Sequence, residues 1–328
     1  MLSTAEPLVR PPEVVPLLLK VDVGEEALAN STPDALELLL ADMTTGHNII
    51  WATHDYAHLG SAFAPDQSIT VASITGRYTD IIRPRVEKPK TRQGDRAKGK
   101  AEVFTPSWLC NEQNNLVDEA WFGRPGVFNT ATGHGWRTHT TMIEFDTQGG
   151  RTWQQYVDEP RLEAACGEAP YLVSRYDATT GGPIALERRI GLLDRKVRVV
   201  TERCRDEETW LHWTRRAFES VYGFEYQGDS LLLARENLLA SYVDYTLSAI
   251  LRQPTESEMS AIARIIAWNI WQMDALTFTI PYKIVGSSVS EPTLFDIPGT
   301  EGRPCLIRDW RRDEIVEFRS LLRTRWLR

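Results

Sequence analysis

The chain has 328 residues and a formal net charge of −8, with 42% hydrophobic and 25% charged residues. These values exclude a disordered or collagen-like chain, and the length suggests about two domains. No stretch approaches the roughly 18 consecutive apolar residues of a membrane span. The first residues, with Glu6, Arg10 and several prolines, do not form a secretory signal. Cys110, Cys166, Cys204 and Cys305 lie far apart, which excludes a CxxC unit and argues against a disulfide scaffold. A soluble cytoplasmic protein with reduced thiols and no bound metal is expected.

Residues 1–82 read as a β-rich N-terminal region. Strand formers gather at Leu36–Leu40, Asn48–Ala52 and Ile69–Ile74, with a turn at Thr44-Thr45-Gly46-His47. Residues 83–100, RPRVEKPKTRQGDRAKGK, carry +6 while the remainder carries −14. Their prolines, glycines and missing apolar period predict a basic surface loop. Two readings stand for it. Arg83, Arg85, Lys88, Lys90, Arg92, Lys98 and Lys100 contact nucleic-acid phosphates and release counterions, or the run is a solvated linker.

Residues 101–328 read as an α/β domain. Mixed three- and four-residue spacings predict a helix over Pro106–Phe122, and residues 123–152, rich in Gly and Thr, an irregular loop. A strand follows over Pro160–Ala165, then helices over Ile190–Cys204 and Glu207–Phe218. Ser220–Tyr226 reads as the next strand and Gly228–Leu251 as a long helix. Thr255 and Glu258 form a capping box that opens a helix through Trp268, and Asn269–Met273 is a third strand. Strands alternating with helices predict a parallel sheet.

Ligands of open α/β sheets bind beyond the carboxyl ends of the strands, so three tips carry the argument. The first is LEAACGEAPYL (162–172), where Gly167 permits a tight turn and close backbone approach, and Glu163 and Glu168 hold polar groups. The second is VYGFEYQGDSLLLARENLL (221–239), with Glu225 placed to accept from a ribose diol. The third is NIWQMDALTFTIP (269–281), with Asp274 placed to accept from an adenine amine. Each feature alone is also an ordinary turn, loop or cap; three in order form a consistent adenosine site. No GxSxG, P-loop or HExxH is present. His47, His54 and His58 form a loose cluster that reads as surface or core residues ahead of a metal site, and His134 and His139 read as exposed loop residues ahead of contacts to phosphate or base.

With these motifs the chain resembles the N6-adenine-specific DNA methyltransferases of restriction-modification systems, often called restriction endonuclease subunit M. EVFTPSWLCNEQN (102–114) resembles the segment those enzymes place before their Rossmann-like core. The three tips resemble their first, second and third motifs, over about residues 75–280. The resemblance implies an S-adenosylmethionine-dependent methyltransferase that acts on DNA. Thr105 and Pro106 would pack on the methionine end, Glu163, Cys166 and Gly167 would form the first loop, Glu225 would hold the ribose and Asp274 the adenine. Two departures matter. Ala169-Pro170 stands where a second glycine is usual. No Asn-Pro-Pro-Tyr or Asp-Pro-Pro-Tyr occurs, the segment that grips the flipped base; Ile280-Pro281-Tyr282 supplies only a Pro-Tyr pair, and no catalytic residue is assigned.

The implied sheet is the first half of a 3-2-1-4-5 order, which leaves its first strand with an apolar edge. Strands from 34–82, strands from 284–320 such as CLIRDW and IVEF, or a partner chain are expected to cover it. Three functional expectations follow: a DNA adenine N6-methyltransferase, a split or non-catalytic subunit whose partner (a second methyltransferase, specificity or endonuclease subunit) supplies the base grip, or an α/β protein of unrelated chemistry.

Overall fold

The computed structural model of the chain describes residues 24–88, 105–146, 149–282 and 302–324. The N-terminal segment begins with helices α1 (Glu25–Ser31) and α2 (Pro33–Leu40). A two-residue pair, β1 (Ala41–Asp42) and β2 (His47–Asn48), closes around the expected turn. A short helix α3 (Val71–Ile74) follows. Among the described residues of the expected β-rich region, helix therefore outweighs strand. The run over Leu36–Leu40 is leucine, an unbranched helix former. Pro33 sits at the first helical position, where its missing N–H costs nothing. Ala35, Leu36, Leu39 and Leu40 then share one buried stripe. Ile69–Ile74 bends instead into α3, where Thr70 and Ser73 satisfy each other's backbone; one isolated bridge, Ile50 to Ser68, is what remains of strand pairing there.

Helix α4 (Ser107–Phe122) matches the expected span. Residues 123–152 hold more order than expected, because β3 (Asn129–Ala131) and β4 (Trp136–Thr138) pair as an antiparallel hairpin. Helix α5 (Trp153–Asp158) leads to β5 (Arg161–Ala164). Helices α6 (Leu192–Arg203) and α7 (Glu207–Glu219) return the chain to β6 (Val221–Glu225). Helices α8 (Gly228–Ile250) and α9 (Glu256–Asn269) then lead to β7 (Ile270–Gln272). The strands β5, β6 and β7 form a parallel sheet in that order, with Glu163 opposite Gly223 and Phe224 opposite Trp271. The fold is thus mixed α/β, with α8 buried around its whole circumference over Gly228–Thr246, as a core helix must be.

A final hairpin, β8 (Leu306–Asp309) with β9 (Glu314–Glu317), precedes helix α10 (Phe318–Thr324). It covers a face of the sheet rather than its edge: Ile307, Cys305 and Phe318 pack with Phe224, Trp271 and Met273. The N-terminal segment docks at the opposite edge, where the Gln272 side chain accepts from Ile50 N and donates to Ile50 O, both at 2.9 Å. Leu36, Leu39, Ile49 and Trp51 therefore share one core with Ile262 and Ile266 of α9. Among the described residues nothing pairs with the outer edge of β5, and Leu162 there is 47% exposed. Among the described residues, neither the 34–82 segment nor the β8–β9 hairpin pairs with that edge. No described helix is long and apolar enough to cross a membrane.

Candidate functional site

The three tips lie at one end of the parallel sheet. The turn after β5 runs through left-handed backbone at Ala165 (φ 49°), Gly167 (φ 54°) and Ala169 (φ 61°). A left-handed alanine costs roughly 1–2 kcal/mol, so Ala165 and Ala169 are held there at a strain. A Cβ added at Gly167 would meet nothing within 4 Å, so that turn faces open space. Cys166 beneath it is buried, and burial followed by the charges of Glu163 and Glu225 pushes its thiol well above the ordinary value. That side chain is core rather than nucleophile.

Glu225 ties the first two tips together. Its carboxylate accepts from Gly167 N at 2.9 Å, Tyr226 N at 2.9 Å and Gln227 N at 3.2 Å. Burial raises its pKa and these three donors oppose the rise. A carboxylate has about four acceptor positions, so one remains. Glu163 lies on the same sheet face and accepts from Tyr171 N (3.3 Å) and Leu172 N (3.1 Å). Burial lifts its pKa to about 8, the two backbone donors oppose this, and the neighbouring charge of Glu225 adds to it. Glu163 is therefore a structural acceptor for the loop that carries Gly167, and is mostly protonated at neutral pH.

Asp274 stands past β7, partly exposed. Oδ1 accepts from Leu276 N (2.8 Å) and Thr277 N (3.4 Å), which winds the following turn and leaves Oδ2 without a donor among the described residues. Tyr226 and Tyr282 lie ring to ring at 6.4 Å, both partly exposed, and Leu276 is 90% exposed. A groove of about 230 Å³ opens beyond β7, with Gln272, Ile280, Pro281 and Tyr282 on one side and Asp42 and Asp66 on the other. Its acidic lining suits a ligand that presents amine or hydroxyl donors. These flanking side chains were missed in the sequence, although a tyrosine directly after Glu225 was a visible signal.

Pro106, directly after Thr105, stands at the N-cap of α4, and Ser107 N donates to Asp177 Oδ2 at 2.8 Å. Gln113 on that helix accepts from Tyr171 OH, which links the Thr-Pro turn to the loop after β5. The structure thus joins Thr105, Pro106, Glu163, Cys166, Gly167 and Glu225 through one loop, with Asp274 on the far strand.

The basic residues divide. Arg83 stays at the surface beside Asp80 at 3.6 Å. Arg85 N donates to Glu168 Oε1 at 2.7 Å, and Tyr176 OH donates to Glu168 Oε2 at 2.6 Å. Lys88 turns inward: its side chain is 11% exposed, and Nζ lies 3.3 Å from the fully buried Asp229 Oδ2, which Tyr56 OH also reaches. A buried carboxylate demands a countercharge, and Lys88 supplies it. Lys90, Arg92, Lys98 and Lys100 lie outside the described residues. No family model, curated protein or solved structure matches the chain.

Proposed function

We propose that the chain is an S-adenosylmethionine-binding, Rossmann-like module of a cytoplasmic DNA adenine N6-modification system. The observation that carries this reading is the Glu225–Gly167 bond, which sets an open turn and a buried acceptor on adjacent parallel strands, with Asp274 beyond the third. The residues fit the group. Gly167 offers open backbone, Glu225 keeps one acceptor position for a ribose hydroxyl, and Asp274 Oδ2 is available to an exocyclic amine. Tyr226 and Leu276 supply exposed apolar surface beside that acceptor. When bound, the cofactor supplies a sulfonium methyl group to an attacking amine. The chain's own part is positioning and polar stabilisation.

Calorimetric titration with S-adenosylmethionine tests this. Micromolar binding is expected in the wild type and loss of it in Asp274→Ala, whose partly exposed side chain can be removed without opening the core. Unchanged affinity in a folded Asp274→Ala would refute the assignment. A split-subunit reading is favoured by two observations. The 328 residues hold no Asn-Pro-Pro-Tyr or Asp-Pro-Pro-Tyr, and the β5 edge has no partner among the described residues. Unpaired apolar edges invite strand addition from another chain. Methyl transfer to DNA by the purified chain alone would overturn the split reading.

A further inference from the structure

We infer that the β3–β4 hairpin is an arm that contacts duplex DNA, an inference that rests on the DNA-modification reading above. The sequence over residues 124–143 contains no Asp or Glu, in a chain with a net charge of −8, and it carries Arg124, His134, Arg137 and His139. Pairing places Thr130 opposite Arg137, so these two share one face, and Thr132 follows in the turn just beyond β3. All three are exposed, and Arg137 has no ion-pair partner among the described residues. That face presents the Arg137 guanidinium without a carboxylate, with the Thr130 hydroxyl held by His139 Nε2 at 2.9 Å, and so complements phosphate and base-edge acceptors.

The opposite face is anchored. Asn129 exchanges amide bonds with Asn111 of α4 at 2.8 and 2.9 Å. Trp136 Nε1 donates to Arg188 O at 2.9 Å, and Arg198 holds His139 O at 2.6 Å. An arm fixed at its base and exposed along one face binds with little loss of conformational freedom. A two-stranded ribbon also fits the roughly 12 Å width of a major groove. The His134 ring stacks on Trp108 at 4.6 Å, two residues beyond Pro106, so the tip stands beside the turn assigned to the cofactor's methionine end. DNA held on the arm is therefore adjacent to the end of the sheet where the proposed chemistry occurs.

The test is fluorescence anisotropy of the full chain with a labelled mixed-sequence duplex of roughly 30 base pairs, at salt from about 50 to 200 mM. The double variant Thr132→Glu/Arg137→Glu is compared with wild type and with Arg312→Glu, a surface charge reversal elsewhere. S-adenosylmethionine titration runs on the same preparations. The expected result is duplex binding weakened about tenfold or more in the hairpin variant, with a salt slope lower by about one or two contacts, and near wild-type behaviour in Arg312→Glu. Equal affinity and slope in the hairpin variant and wild type would overturn the arm, and so would an equal loss in Arg312→Glu. Displacement of the duplex by polyglutamate at matched charge would point to an acidic protein partner and also overturn it. Cofactor binding without duplex binding overturns the arm alone. Hairpin-dependent duplex binding without cofactor binding supports the arm and overturns the cofactor reading.

Discussion

Glu163→Gln probes the buried acceptor beneath the first tip. In the folded chain the Glu163 carboxyl titrates at about 8, raised by burial above its ordinary 4.5. Between those two values the folded state holds a proton that the unfolded chain has released. Stability from this group is therefore full below about pH 4.5 and is lost as pH rises toward 8, with a slope of about 1.4 kcal/mol per unit. Across the whole window the effect is on the order of 5 kcal/mol, a large share of a typical total of about 5–15 kcal/mol. Gln cannot titrate, and its single carbonyl serves only one of the Tyr171 and Leu172 amides, so the variant starts lower by about 1–3 kcal/mol. Urea unfolding of both proteins at several pH values from 5 to 8 separates the two effects. The gap between wild type and variant should shrink by about 1.4 kcal/mol per unit as pH rises, closing and then reversing so that the variant is the more stable protein near pH 8. Parallel stabilities across that range would refute the buried, protonated assignment.

Lys88→Met removes a cation from the buried Asp229, and should cost about 3 kcal/mol in chemical denaturation; an unchanged midpoint would mean that this pair does not support the fold. Arg235 is fully buried and donates to the carbonyls of Leu39, Ala41, Ala267 and Ile270. Arg235→Met should lower stability by more than about 3 kcal/mol, since it strands several buried acceptors at once, and a smaller loss would mean that water replaces the guanidinium. A Cβ at Gly228 would stand 2.0 Å from Ile50 O. Gly228→Ala should therefore push the N-terminal segment off α8, with a cost of about 1–3 kcal/mol and faster proteolysis near Ile50. Native-like proteolysis would show that this docking is not needed for the fold.

The stretch from Pro160 to Met273 was legible because its strands are short runs separated by long helices, two of which carry their own start signal. Asp206 caps α7 and Thr255 caps α9, as their sequence positions suggest. The N-terminal segment was misread because a run of leucines carries no period of its own. Only Pro33 and the stripe of Ala35, Leu36, Leu39 and Leu40 mark it as helix. The β3–β4 hairpin escaped for a different reason. Its strands, Asn-Thr-Ala and Trp-Arg-Thr, are three residues each with little apolar alternation, and its order comes from Asn111 and Arg198, which are distant in sequence. Lys88 looks like its basic neighbours, and its partner Asp229 lies 141 residues away. Nothing local to the basic run distinguishes it.

The same logic explains why the loop between β5 and α6 can hold a site without regular structure. Buried backbone groups need partners, and here side chains from the surrounding helices take the role of neighbouring strands. Asp194 accepts from Ser174 N at 2.8 Å and Gly191 N at 3.0 Å. Asn114 donates to Tyr171 O and Ile190 O, both at 3.0 Å. Asn237 donates to Glu168 O at 3.1 Å, while Glu163 accepts from Tyr171 and Leu172. These residues are polar, yet all are buried on helices or a strand that sequence patterning would orient outward at such positions. Each supports a particular carbonyl or amide of the loop rather than the core volume. The turn at Gly167 is therefore held from below by groups whose loss would leave a backbone partner unpaired. A site assembled this way keeps its geometry before any ligand arrives, which is the condition under which binding free energy goes into orienting the ligand rather than ordering the protein.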